Sequence, residues 1–172
     1  MANKGLEVIE AARLFSFLSS EIQVVIHPES RVHSFIRTFD GSLYAQLSRP
    51  DMRIPILNAL SWPAVISETV ADMDPTDIQL HFSKPDLQRY PLLVLAYQAL
   101  DAGEGATAAY NAANEVAVEA FMNGLVRFTD ISLVVAQVLE ADYPVRLENL
   151  ETVAAVDSLA RVAAERILKE YR

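Results

Sequence analysis

The spacing of apolar residues after Pro91 constrains the fold more than any other feature of the sequence. From there to the C-terminus, apolar side chains recur every three or four positions, the period of one helix face. Thr129 and Asn149 precede two of these stretches and are expected N-caps. Helices joined by short connections are typical of a small bundle. The pattern predicts four helices, over 92–102, 107–122, 131–140 and from 150 onwards.

The preceding part of the chain carries the signal of a β-hairpin. Two strand-like runs, 32–39 and 42–47, flank Asp40-Gly41, a pair that accepts the positive φ of a two-residue hairpin turn. The β-branched run 23–26 is expected to form a buried strand. Residues 49–51 should turn the chain into a helix that ends near Leu60. The predicted fold class is therefore α+β: an antiparallel sheet with helices, followed by a C-terminal four-helix bundle.

Between these two regions the character of the sequence changes. Prolines at 63, 75 and 85 and aspartates at 72, 74 and 77 make the segment polar and irregular. This composition is typical of a linker at the surface, in which Ile78, Leu80 and Phe82 add a short strand. We therefore expect a first domain over 1–60, a linker over 61–88 and a helical domain over 89–172.

Composition excludes several classes of function. The net charge of −9 argues against nucleic acid as a partner, because phosphates require a basic face. No apolar run approaches the ~18 residues that a membrane span needs, and the N-terminus lacks the pattern of a signal peptide. The absence of cysteine excludes disulfides and thiolate metal sites. We expect a cytoplasmic protein with neither a membrane nor a nucleic acid as partner.

Residues 1–17 form the candidate site of the chain. Their apolar positions have helical spacing, so this segment is predicted to be an amphipathic helix that ends near residue 18. Asn3, Glu7, Glu10 and Leu14 then lie along one stripe of that helix. A carboxylate beside apolar positions requires a cation, a proton or solvent.

The start of this helix suits an anion and the next turn suits a cation. Asn3 and Lys4 lie where free N–H groups and the helix dipole favour a phosphate. The carboxylates one and two turns later are oxygen ligands of the kind that a hard divalent ion prefers. The alternative is a half-exposed helix with solvated charges, and periodicity alone favours that alternative.

Other polar residues have structural interpretations. His27 and His33 are two of three histidines, but only Glu7 and Glu10 are available to complete a zinc site, so a hydrogen-bonded structural role is favoured. Met52, an apolar residue, has ordinary core filling as its structural interpretation. The polar residues inside an alanine-rich helix are expected to form hydrogen bonds with the backbone of neighbouring loops. They are Asn111, Asn114 and Glu115.

Five sequence blocks carry a resemblance to a known family. They occur in the family's order, have similar spacing and together cover nearly the whole chain. The chain resembles the C-terminal part of the 1-deoxy-D-xylulose 5-phosphate reductoisomerase family. The blocks are NKGLEVIEA, VVIHPES, DGSLYAQLSRPDMRIPI, NAANEVAVEAF and RFTDI.

The resemblance implies an activity and roles for individual residues. The family rearranges the sugar phosphate with the help of a metal and then reduces it with NADPH to 2-C-methyl-D-erythritol 4-phosphate, in non-mevalonate isoprenoid biosynthesis. By resemblance, Glu7 is a catalytic carboxylate that binds Mg²⁺ or Mn²⁺. Asn3 and Lys4 bind substrate hydroxyl and phosphate groups, and Lys4 also acts in catalysis. His33 lines the substrate site, and Met52 packs near the nicotinamide and the substrate.

The resemblance also implies that much of the enzyme lies outside this chain. The other metal carboxylates, the phosphate-binding serines, a mobile flap and the nucleotide-binding domain are expected upstream of Met1. We therefore expect a truncated chain that is inactive alone. The resemblance also implies a homodimer, in which the catalytic-domain sheets associate, so the hairpin strands of this chain are candidates for pairing between copies. The alternative is a non-enzymatic helical module that acts by dimerisation or by binding a partner.

Overall fold

The computed structural model describes residues 1–64 and 73–171. Two strands form an antiparallel pair, and helices make up most of the remaining described residues. The predicted α+β class is confirmed. The helices are α1 (Ala2–Phe15), α2 (Arg53–Ser61), α3 (Pro91–Ala102), α4 (Glu104–Met122), α5 (Asp130–Val138) and α6 (Leu150–Glu170), and the strands are β1 (Val32–Arg37) and β2 (Leu43–Leu47).

The chain forms two compact units. The helical unit contains Met1–Val24 and Pro85–Arg172, and the hairpin unit contains Val25–Lys84. The first helix is thus grouped with the C-terminal helices. The expected division into domains over 1–60, 61–88 and 89–172 stays a prediction. Within the described residues, no helix is both long and apolar enough to cross a membrane.

The core of the helical unit is built around α4. Alanine side chains along this helix are buried and pack with the apolar faces of α3, α5 and α6. Tyr110 is the largest side chain that is completely buried. The other buried apolar residues of α4 are Ala106, Ala109, Ala112, Ala113, Ala117 and Ala120.

Two helix ends differ from the sequence prediction by about one turn. α1 ends at Phe15 because Ser16 adopts a left-handed conformation, with φ 56° and ψ 35°, at its C-terminus. α4 begins at Glu104 rather than at residue 107, directly after Gly103, whose φ of 122° favours glycine. The remaining three C-terminal helices, α3, α5 and α6, begin within one residue of the positions that the apolar spacing predicts.

The two expected N-caps behave differently. Asn149 caps α6: its side-chain oxygen accepts a hydrogen bond from the Thr152 N–H at 2.9 Å, and the Thr152 hydroxyl oxygen accepts one from the Asn149 N–H at 3.3 Å. Thr129 occupies the N-cap position of α5, but its side chain makes no capping hydrogen bond. The prediction of a cap is confirmed for Asn149 and wrong for Thr129.

The hairpin unit contains the predicted antiparallel pair. Phe35 lies opposite Ala45 and Ile36 opposite Tyr44. Beyond the strand ends, the Thr38 N–H donates to the Ser42 carbonyl oxygen at 3.0 Å. This hydrogen bond closes a loop of three residues, 39–41, rather than the predicted two. Gly41, with φ 86°, provides the left-handed residue that such a loop requires.

The strand expected over 23–26 is not present. Only Ile26 pairs, in an isolated bridge with Ser83, and Val25 is exposed. A β-branched run forms a strand only where a neighbouring strand hydrogen-bonds with its backbone N–H and C=O groups. Here only one residue, Ser83, forms such bonds. Likewise, the described residues 78–82 contain no strand. Residues 65–72 of the predicted linker lie outside the described residues.

Candidate functional site

Three polar side chains of α1 converge on its exposed face. The Asn3 Nδ2 donates to Glu7 Oε1 at 2.9 Å, and the Lys4 Nζ forms an ion pair with Glu7 Oε2. The spacing of three and four residues brings these groups to the same side of the helix. The Lys4 and Glu7 side chains are 41% and 45% exposed. We call Asn3, Lys4 and Glu7 the polar triad.

The polar triad contributes little to stability. A solvent-exposed ion pair within one helix is worth about 0–1 kcal/mol, since water and salt screen it. The prediction that Asn3, Lys4 and Glu7 lie together on an accessible surface agrees with the geometry. An amide, an ammonium and a carboxylate at one place can bind a hydroxyl, a phosphate and a cation respectively.

The opposite face of α1 attaches the polar triad to the helical unit. Gly5, Val8 and Ala12 are buried on this face. Glu10 and Leu14, which the sequence places on the same stripe as Glu7, are exposed. α1 is therefore a surface helix whose apolar face packs against the bundle and whose polar face remains open.

The described residues provide only part of a metal site. No group of three histidine or acidic side chains among residues 1–64 and 73–171 is arranged to hold a metal ion. Glu7 is one suitable oxygen ligand, and its two present bonds leave lone pairs free, because a carboxylate has about four acceptor positions. Mg²⁺ requires about six oxygen ligands. The triad thus suits one ligand position of a larger site.

The other two predicted site residues belong to the hairpin unit. His33 is exposed on β1, and its Nε2 lies 3.3 Å from the Ser48 carbonyl oxygen. Met52 precedes α2 and is 72% exposed, so the interpretation as core filling is wrong. The structure brings Asn3, Lys4 and Glu7 together on α1, whereas His33 and Met52 belong to the hairpin unit.

His27 has the structural role that the sequence favours. Its Nδ1 lies 2.9 Å from the His81 carbonyl oxygen and 3.0 Å from Glu29 Oε2, and its ring stacks on Phe82 with a centroid distance of 4.6 Å. Glu29 also bonds the His81 side chain. The His81 hydrogen bond lowers the pKa of Glu29 to about 2. Glu29 and His81 were not predicted, because 52 residues separate them and no motif links them.

The polar residues of α4 do not satisfy loop backbone, contrary to expectation. The Asn111 Nδ2 donates to Glu115 Oε1 at 3.1 Å, and Glu115 pairs with Arg161 of α6. Arg161 also donates to Asp157 at 2.7 Å. Asn114 is buried, and its side-chain oxygen Oδ1 has no hydrogen-bond partner within the described residues. The hydrogen-bond partners of Asn111 and Glu115 are thus side chains of α4 and α6, not loop backbone.

Comparison with known proteins decides the family. The sequence profile described as "DXP reductoisomerase C-terminal domain" matches residues 47–163, where DXP is 1-deoxy-D-xylulose 5-phosphate. The chain belongs to the DXP reductoisomerase family. A 1-deoxy-D-xylulose 5-phosphate reductoisomerase of Cupriavidus necator is 55% identical over 165 residues, which are 95% of this chain and 42% of that protein. The chain therefore spans about two fifths of the length of the family members it matches.

Solved structures of family members have the same fold. The reductoisomerase of Zymomonas mobilis in complex with NADPH matches 98% of this chain and 45% of its own, with 39% identity and a TM-score of 0.90. A DOX-P reductoisomerase in complex with NADPH, fosmidomycin and magnesium covers 98% of this chain, with 41% identity and a TM-score of 0.87. The α+β arrangement of this chain is thus that of the family.

Proposed function

We propose that this chain forms the C-terminal part of an NADPH- and divalent-metal-dependent enzyme that converts 1-deoxy-D-xylulose 5-phosphate to 2-C-methyl-D-erythritol 4-phosphate in non-mevalonate isoprenoid biosynthesis. The observation that carries this proposal is the polar triad: Asn3, Lys4 and Glu7 converge on an open helix face. Family membership over 95% of the chain supports it.

Each residue of the triad has a chemical role in this proposal. Lys4 binds the phosphate as a compact positive charge, and Asn3 donates to a substrate hydroxyl. Glu7 supplies one carboxylate oxygen to Mg²⁺ or Mn²⁺, and the bound metal polarises substrate oxygens as a Lewis acid. Resemblance to the family supports a role for His33 in the substrate site and for Met52 near the nicotinamide and the substrate. NADPH itself binds to a part of the enzyme that this chain does not include.

The proposal has consequences for the chain by itself. One carboxylate cannot hold Mg²⁺ tightly, and the chain spans 42% of the length of its Cupriavidus necator relative. We therefore expect no reductoisomerase activity from the 172 residues alone. The complete enzyme is proposed to be a cytoplasmic homodimer, whose exposed hairpin edges offer the unpaired backbone groups for association between copies.

A chimeric enzyme tests this function. The matching C-terminal part of the Cupriavidus necator reductoisomerase is replaced by this chain, and NADPH oxidation is followed after addition of 1-deoxy-D-xylulose 5-phosphate and Mg²⁺. We expect the chimera to be active and Glu7→Gln to lower kcat by roughly 100-fold or more, since even the loss of a group that only orients a metal ligand costs about 10–100-fold. The matched control is Glu10→Gln, an exposed carboxylate one turn away on α1.

Two results would contradict the proposal. One is a folded chimera that binds NADPH but does not turn over the sugar phosphate. The other is equal activity of the Glu7→Gln and Glu10→Gln variants. Either result, combined with stable self-association of the isolated chain, would favour the helical interaction module instead.

A further inference from the structure

α1 contacts the bundle at a position where no side chain fits. A Cβ atom built on Gly5 would lie 2.6 Å from the Ala96 Cβ and 2.9 Å from the Tyr110 hydroxyl oxygen. Ordinary contacts of a Cβ atom begin near 3.4 Å. The backbone of α1 therefore packs directly on α3 and on a side chain of α4, one residue after Lys4 and two before Glu7.

The two residues nearest to Gly5 are completely buried, and one of them is held by a hydrogen bond. Tyr110 is completely buried, and its hydroxyl donates to the Leu92 carbonyl oxygen in the first turn of α3 at 3.0 Å. Burial raises the pKa of Tyr110 to about 12, so the hydroxyl stays protonated and donates throughout the neutral range. Ala96 is fully buried as well and has no rotatable side chain. A larger residue at position 5 therefore requires a shift of Ala96, of the Tyr110 hydroxyl or of α1 itself.

We propose that Gly5 and Tyr110 are positioning residues that set the depth and rotation of α1 on the bundle, and thereby the placement of Asn3, Lys4 and Glu7. Their effect on catalysis rests on the function proposed above, whereas their effect on α1 does not. A helix moves as a rigid element over two turns, so a shift at Gly5 is transmitted to residues one to two positions away. A misplacement of about 1 Å in a catalytic arrangement can cost roughly 100-fold in rate.

Hydrogen exchange in the 172-residue chain tests the effect on α1 without any assumption about catalysis. The variant is Tyr110→Phe, which removes the hydroxyl and keeps the ring. Tyr143→Phe is the matched control, because the Tyr143 hydroxyl also donates to a backbone carbonyl, that of Val138, at 3.0 Å. We expect amides 5–9 of α1 to exchange at least tenfold faster in Tyr110→Phe than in Tyr143→Phe, while amides of α6 exchange equally. Equal rates in α1 would overturn the proposal.

Substitution of Gly5 provides a second test, because the proposal predicts whether hydrogen exchange of α1 becomes faster or slower. In an unconstrained helix interior, Gly→Ala favours helix formation. If α1 were stabilised by helix propensity alone, Gly5→Ala would therefore slow hydrogen exchange of its amides. The close contacts predict the opposite for Gly5→Ala, which should increase exchange of α1 amides tenfold or more. The compensating change Ala96→Gly removes the nearest atom, and the double variant should recover at least half of the lost protection on a logarithmic scale. Increased protection in Gly5→Ala alone would contradict the proposal.

Kinetics in the chimeric enzyme then test the consequence for substrate binding. We expect Tyr110→Phe to raise KM for the sugar phosphate at least tenfold and to leave KM for NADPH nearly unchanged. Its thermal midpoint should fall by about as much as that of Tyr143→Phe, since each variant loses one hydrogen bond to a backbone carbonyl. A merely structural role would not affect the two KM values differently. Tyr143→Phe should leave both KM values unchanged. If the chimera is active and Tyr110→Phe has the same KM values as Tyr143→Phe, the positioning role in catalysis is overturned and the proposed function stands. If the parent chimera is inactive, the proposed function is overturned. In that case the hydrogen-exchange rates still test whether Gly5 and Tyr110 set the placement of α1.

Discussion

At the scale of single residues, the cluster of His27, Glu29 and His81 connects distant parts of the hairpin unit. Glu29 Oε2 lies 3.0 Å from the His27 Nδ1, and the other carboxylate oxygen bonds the His81 ring. The backbone bridge between Ile26 and Ser83 lies beside this cluster. Glu29 therefore ties the segment before β1 to residues more than fifty positions later.

Glu29 predicts a specific dependence of stability on pH. Its pKa is lowered from an ordinary value of 4.5 to about 2, chiefly by the His81 hydrogen bond. A lowered pKa means that the native state binds fewer protons, so the stabilisation is present above pH 4.5 and is lost as the pH falls towards 2. We expect Glu29→Gln to destabilise the Ile26–Ser83 bridge at pH 6 and to have progressively less effect between pH 4.5 and pH 2.5. Urea unfolding followed by the amide signals of Ile26 and Ser83 measures this.

The matched control is Asp77→Asn, which removes an exposed carboxylate of the same unit. At pH 6 it should leave the amide signals of Ile26 and Ser83 nearly unchanged, since among the described residues the Asp77 side chain forms no hydrogen bond or ion pair with the cluster. A Glu29→Gln effect that is constant between pH 6 and pH 2.5 would show that the carboxylate charge does not stabilise the bridge.

At the scale of elements, the two N-caps of the bundle allow a direct comparison. Asn149 accepts from the Thr152 N–H at 2.9 Å, whereas the Thr129 side chain makes no capping bond. We expect Asn149→Ala to lower the free energy of unfolding by about 1 kcal/mol, because one N–H at the start of α6 loses its partner. Thr129→Ala should cost much less. Urea unfolding monitored by circular dichroism measures both, and equal losses would contradict the assignment of Asn149 as the cap.

The elements that sequence predicts well are those whose signal is local. The four C-terminal helices and the hairpin follow from apolar spacing and from Asp40-Gly41. The failures are non-local: the run 23–26 lacks a neighbouring strand. In α4, which begins a turn earlier than predicted, the N–H groups of Glu104 and Gly105 donate to the carbonyl oxygens of Val145 and Pro144, about forty residues later. The polar triad was found because its members are three and four residues apart, whereas the contact between Gly5 and Tyr110 requires knowledge of how the helices pack.

At the scale of the whole chain, burial is distributed very unevenly. Every buried residue among 1–64 and 73–171 belongs to the helical unit, including Gly5, Val8 and Ala12 of α1. The hairpin unit exposes large apolar side chains; in its strands these include Phe35, Ile36 and Tyr44. An isolated two-stranded hairpin is at best marginally stable in water. The helical unit therefore accounts for the stability of this chain.

This imbalance predicts two levels of hydrogen-exchange protection in the 172-residue chain. Amides of α4 and the middle of α6 should exchange slowest, because they open only when the core unfolds. Amides of β1 and β2 should exchange at least 1000-fold faster than these, because local opening of an uncovered hairpin costs little free energy. In the chimeric enzyme, we expect the remainder of the protein to cover Phe35 and Ile36. The strand amides should then become at least tenfold more protected, while the rates in α4 stay the same. Strand amides that exchange as slowly as those of α4 in the isolated chain would show that the hairpin is stable without any covering surface.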